Sequence, residues 1–159
     1  MLTEHEVGRI WQRMVESEVR SLYFADLASN YRRQKQIITG TSFVLSSGAV
    51  ATLAVASSSK WVPLAFSLII AVMTAYSIAI GLDKRVSALS KLHNEWNRLQ
   101  WDYERLWNHW SDDGAEETLR ELIQRAREAS EIGTEMPYDK RRINKWEQFV
   151  FSRFPQATL

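Results

Sequence analysis

The chain contains no cysteine, which excludes disulfide staples, thiolate metal sites and thiol nucleophiles. It has only three histidines, His5, His93 and His109. They stand in unrelated contexts, without an i, i+4 histidine pair or clustered carboxylates, so no metal site and no cofactor is expected. No phosphate-cradling glycine loop, G-x-S-x-G elbow or paired-acid constellation occurs, and the chain is not expected to be an enzyme. Neither sign of charge dominates: the formal net charge is +1, so no global field draws the protein to nucleic acid, and none is expected as a partner. Residues 1–36 lack an apolar core of secretory type, so no cleavable signal peptide is expected.

What the chain does have is an uneven charge distribution. A quarter of its residues are charged, yet between Ile37 and Leu82 the only charged residue is Lys60. Such a pattern points to two different solvents along one chain. Residues 37–57 form one uncharged run, at ~1.5 Å per residue enough to cross a hydrocarbon core of roughly 30 Å. Thr39, Gly40, Thr41, Ser42, Ser46, Ser47, Gly48 and Thr52 dilute it, so part of this helix is expected to prefer protein or water to lipid. Residues 61–82 form the stronger span, opened by Trp61 and Pro63, with Ser58, Ser59 and Lys60 left for a tight turn. Two long uncharged runs would be an outsized core for a soluble chain of 159 residues. Arg32, Arg33 and Lys35 before the hairpin, and Lys84 and Arg85 after it, outnumber the single Lys60 in the turn. By the positive-inside rule both termini are then cytoplasmic.

Ser67, Ala71, Ala75 and Ala79 recur at every fourth position, the small-xxx-small pattern that lets helix backbones approach closely in lipid. Thr41, Leu45, Gly48 and Thr52 share one stripe of the first span, continued by Val55 and Ser59. That stripe has two readings: packing against the second span or a neighbouring chain, or a mildly polar lining for a pore. Two helices cannot enclose a pore, so the second reading requires several copies of the chain.

Outside the hairpin the periodicity is helical. Thr3 and Glu6 form a capping box ahead of an amphipathic helix with Val7, Ile10, Trp11, Met14, Val15, Leu22, Tyr23 and Tyr31, expected to run straight into the first span. Leu89, Leu92, Trp96, Leu99, Tyr103, Leu106 and Trp110 make a heptad-like seam for a bundle or an oligomer. With no breaker recognised after the second span, one helix is expected from Pro63 to Trp110, roughly 70 Å long at ~1.5 Å per residue. Trp101 and Trp107 lie off the seam and are read as a second helix contact rather than a stacking platform for a base. Ser111 to Gly114 is a turn; a helix with Leu119, Leu122, Ile123, Ala126 and Ile132 follows and ends at Gly133. Asp139 caps a last helix bearing Ile143, Trp146, Phe149, Val150 and Phe154. The run Asp139-Lys140-Arg141-Arg142 has two readings, contact with anionic lipid head groups or phosphate and a solvated helix face, of which the second is preferred.

The expected fold is therefore all-α: a transmembrane hairpin carrying a cytoplasmic helical bundle. Its parts are an N-terminal amphipathic helix over 1–36, the hairpin over 37–82, a stalk helix over 83–110 continuing from the second span, and a C-terminal helical pair over 111–159 packing on the stalk.

This order of parts resembles the SLATT domains, two-transmembrane effector modules associated with bacterial nucleotide-sensing conflict systems. The resemblance lies in the Tyr31-Arg32-Arg33 segment before the first span, the closely spaced spans, KLHNEWNRLQWDYERLW over 91–107 and EIGTEMPYDKRRINKW over 131–146, and it covers nearly the whole chain. It implies an effector of the bacterial inner membrane that oligomerises and disrupts membrane integrity in antiphage defence. No segment reads as α/β or as a barrel, so the trigger is expected from a separate sensor protein or a second-messenger system. The alternative is a membrane-anchored scaffold that recruits a soluble partner through its bundle.

Overall fold

The computed structural model describes residues 2–47 and 61–154, and all regular structure among them is helical. The helices are α1 (Glu4–Ser46), α2 (Trp61–Ile80), α3 (Leu82–Asn108), α4 (Ala115–Thr134) and α5 (Lys140–Arg153). The chain divides into two compact units, Met1–Ala28 with Ser87–Leu159, and Ser29–Val86.

In the first unit the amphipathic faces close on one another. Ile10, Met14, Val15, Val19, Tyr23, Phe24 and Leu27 of α1 are buried, as are Leu89, Leu92, Trp96, Leu99, Tyr103 and Leu106 of α3. Leu119, Leu122, Ala126 and Ala129 of α4 and Val150 of α5 complete this core. Spacings of three and four place each set on a single helical stripe, and burying such stripes is what stabilises helices in water. The capping box forms: the Thr3 backbone N–H donates to Glu6 Oε2 at 2.8 Å and the Glu6 N–H to Thr3 Oγ1 at 3.4 Å. Asp139 accepts from the backbone N–H groups of Arg141 and Arg142 at 3.0 and 3.2 Å, which starts α5.

Polar contacts between distant segments fix the register of the bundle. On α4, Arg125 reaches Glu95 at 2.8 Å and Asp102 at 2.8 Å, both on α3. The helix α5 is tied to α1 at both ends: Arg153 meets Glu18 at 2.6 Å and Arg142 meets Asp26 at 3.1 Å. Trp146 Nε1 donates to the second oxygen of Asp26 at 3.2 Å. Tyr23 Oη donates to the Pro137 carbonyl at 3.1 Å and accepts from the Asp139 N–H at 2.9 Å, clamping the turn that precedes α5.

The structure departs from the sequence reading at four places. The stalk is not continuous with the second span: Gly81 has φ +62°, a left-handed conformation that glycine adopts at no steric cost, and it separates α2 from α3. Trp110 does not extend the seam, because α3 ends at Asn108 and Trp110 stands exposed in the following turn. Trp107 contacts Trp11 with ring centroids 5.4 Å apart, but Trp101 makes no such ring contact among the described residues and is 60% exposed. Gly133 lies inside α4 rather than ending it, where an added Cβ would sit 3.4 Å from the Phe24 ring.

Candidate functional site

From Ile37 onward α1 carries no charge, and α2 carries none at all. Within Ser29–Val86 the half-buried side chains of these helices trace one face of each: Ile38, Thr41, Ser42 and Leu45 on α1, and Phe66, Ile70, Met73, Ser77 and Ile80 on α2. The other faces are bare. Ile37, Phe43 and Val44 of α1, and Trp61, Leu64, Leu68, Ile69, Val72, Tyr76 and Ile78 of α2, are all exposed, Phe43 and Ile78 at 75%. Contiguous apolar surface of this extent is rare on soluble monomers and marks a face made for a membrane or another protein. Covering seven large side chains of α2 is worth on the order of 10 kcal/mol, taking ~1.5–3 kcal/mol for each fully buried one.

Ser46, the last residue of α1, and Ser47 directly after it turn their hydroxyls back onto the helix. Ser46 donates to the Phe43 carbonyl at 3.1 Å and Ser47 to the Val44 carbonyl at 2.7 Å. A hydroxyl satisfied in this way does not oppose an apolar surrounding.

The residues singled out in the sequence fall in distinct places. Ser67, Ala71, Ala75 and Ala79 lie on an exposed face of α2, not on its half-buried one. Thr41 and Leu45 are half-buried, whereas Gly48 and Thr52 lie outside the described residues, as do Val55, the Ser58-Lys60 turn and the later part of the first span. Six of the seven seam residues, Leu89 through Leu106, are buried inside the bundle of a single chain.

The basic residues flanking the hairpin come together. Lys35 Nζ of α1 lies 2.5 Å from Asp83 Oδ1 at the start of α3. Arg85 stacks over Tyr31, 5.9 Å from the ring centroid, and donates to its hydroxyl at 3.5 Å. Arg32, Arg33 and Lys84 are exposed beside these pairs.

In the bundle, His93 Nδ1 sits 3.0 Å from the Ser21 carbonyl, and His109 Nδ1 sits 3.0 Å from the Arg105 carbonyl. Among the described residues no group of three or more histidine or acidic side chains is placed to hold a metal ion. Tyr103 Oη and Trp96 Nε1 are buried without a hydrogen-bond partner among the described residues, and burial pushes the Tyr103 phenol up to about 12. The acids Glu18 and Asp26, which anchor α5, carried no sequence signal. They lie 135 and 116 residues from Arg153 and Arg142, and only the folded bundle brings them together.

Among the described residues no single helix is long and apolar enough to cross a membrane, while one bent pair, Leu64–Ile80 with Leu82–Asn108, passes by length and composition. No protein-family model, curated protein or solved structure matches the chain.

Proposed function

We propose that the chain is an integral membrane protein of a bacterial inner membrane, with a two-span hairpin, both termini cytoplasmic and the four-helix unit on the cytoplasmic side. The observation that carries this reading is the bare apolar surface of α2 and of α1 beyond Ile37, beside a cluster of basic residues. Lipid covers the first and the headgroup region suits the second. On this reading the hairpin does more than anchor. Homo-oligomers assemble through exposed faces of the spans, with the small-residue face of α2 allowing close approach, and they open a pore or disrupt the bilayer when triggered.

The resemblance to SLATT effectors supports the biological setting, a response to infection triggered by a separate sensor or second messenger. The seam supports the division of labour. Six of its seven residues are occupied within one bundle, which leaves the spans as the surface for assembly. The test is forced, triggered expression of well-inserted protein followed by ion-gradient and dye-entry measurements. Lost gradients are expected, and intact gradients at high membrane levels would sink the pore reading.

A second reading, a tethered scaffold, is favoured by Phe149 and Phe151, both exposed on α5, and by a 290 Å³ groove lined by Trp11, Val15, Val19 and Phe151. The two readings separate when Thr41, Gly48 and Thr52 are replaced by leucine, or when the whole hairpin is exchanged for an unrelated one. A scaffold tolerates both changes, and a pore tolerates neither.

A further inference from the structure

The basic cluster at the base of the hairpin has a more specific geometry than a general excess of positive charge. Two cross-helix contacts, Lys35 with Asp83 and Arg85 with Tyr31, set the end of the charged part of α1 beside the start of α3. Five cations are thereby gathered against a single carboxylate, and that carboxylate is already taken by Lys35. Arg32, Arg33 and Lys84 are left exposed, with no carboxylate among the described residues within ion-pairing distance. The cluster also sits at a sharp boundary, ending two residues before Ile37 on α1 and following the buried Leu82 on α3.

We propose that this collar binds the headgroups of anionic phospholipids. Arginine forks match phosphate oxygens bidentately, and lysine adds a mobile point charge. The ring of Tyr31, half-buried under Arg85, has the amphipathic character of residues that settle at headgroup level. The two cross-helix contacts fix the backbone positions on α1 and α3 from which the free cations project, while the side chains of Arg32, Arg33 and Lys84 stay exposed. This inference rests on the membrane reading and adds a lipid preference to it.

The test uses the full chain in phosphatidylcholine vesicles containing trace spin-labelled phosphatidylglycerol or spin-labelled phosphatidylcholine, with the protein-immobilised fraction read by electron paramagnetic resonance. Each cation near an anionic surface contributes up to about fivefold. A several-fold preference for phosphatidylglycerol is therefore expected at low salt, declining as ionic strength shortens the screening length. Arg32→Gln, Arg33→Gln and Lys84→Gln together are expected to bring the two lipids level, because these changes leave both cross-helix contacts intact. Lys140→Gln with Arg141→Gln, exposed on α5, is expected to leave the preference unchanged. Equal immobilisation of both lipids by the unaltered chain, or an undiminished preference in the triple variant, overturns the proposal. So does loss of the preference when millimolar inorganic phosphate replaces chloride at constant ionic strength, which would mark a site for free phosphate. Alkaline carbonate separates the two levels: a chain washed off the vesicles defeats the membrane reading and this proposal together, whereas a retained chain without lipid preference defeats this proposal alone.

Discussion

Replacing Asp26 should release α5 from the bundle while leaving the rest of it folded. Asp26 is three-quarters buried and receives Arg142 at 3.1 Å, Trp146 Nε1 at 3.2 Å and, more distantly, Lys145 at 4.0 Å. Asp26→Ala removes two hydrogen bonds to a charged acceptor and leaves the indole N–H unpaired. Hydrogen bonds to charged groups are worth about 1.5–3 kcal/mol each, but Arg142 keeps Asp139 at 3.0 Å and part of the site is wet. The net cost is set at about 2 kcal/mol. If α5 opens as a local unit, its amides should exchange with solvent roughly 30-fold faster, since ~1.4 kcal/mol is a factor of ten. Amides of α3 between Leu92 and Leu106 should keep their protection. Asp26→Asn supplies the control, because it retains an acceptor for Trp146 and should cost about half as much. Hydrogen-exchange mass spectrometry resolves the two segments. A change under threefold in α5, or an equal change in α3 and α5, would refute the reasoning.

Tyr103→Phe removes a buried hydroxyl that has no partner among the described residues, so denaturant unfolding should show a change between zero and about 1 kcal/mol in the stabilising direction, and a loss beyond 1 kcal/mol would contradict the burial argument. The folded-state value for this phenol is about 12, above its ordinary 10, so its neutral form is favoured in the fold. Stability contributed by Tyr103 should be fully present below pH 10 and lost as pH rises toward 12, and a pH series on the phenylalanine variant should lack that component. Gly81→Ala should cost about 1–2 kcal/mol, because φ is +62° and nothing lies within 4 Å of an added Cβ, which leaves backbone strain as the whole effect. Gly81→Asn should cost less, and an alanine variant as stable as the unaltered chain in thermal melts would show that the left-handed turn is dispensable. Arg125→Lys should destabilise the bundle by about 1 kcal/mol, since one ammonium cannot fork to Glu95 and Asp102 as the guanidinium does.

Features with a local cause could be read from the residues alone. Thr3 with Glu6, Asp139 ahead of α5, and the seam from Leu89 to Leu106 each depend on neighbours within a turn or on one repeating spacing. The break at Gly81 has no comparable local signal. A lone glycine at the end of an apolar run is compatible with a continuous helix, and nothing in its immediate neighbours announces a positive φ. The pairing of Glu18 with Arg153 and of Asp26 with Arg142 could not be foreseen, because opposite charges far apart in sequence select one another only after the apolar faces have set the register. The small-residue pattern at Ser67, Ala71, Ala75 and Ala79 was legible as a pattern. Which way it faced was not, since α2 is apolar all round and offers no polar side to orient it.

The central claim is that α2 lies in lipid, and the absence of cysteine makes it directly measurable, because a single introduced thiol is unique in the chain. Leu68→Cys and Val72→Cys, both at exposed positions of α2, carry a nitroxide in proteoliposomes, with Lys140→Cys as the aqueous reference. Collision rates with oxygen and with a water-soluble nickel chelate are then compared at each site. Nitroxides at 68 and 72 should collide freely with oxygen and hardly at all with the chelate, while the one at 140 shows the reverse. Chelate accessibility at 68 and 72 equal to that at 140 would place α2 in water and contradict the claim.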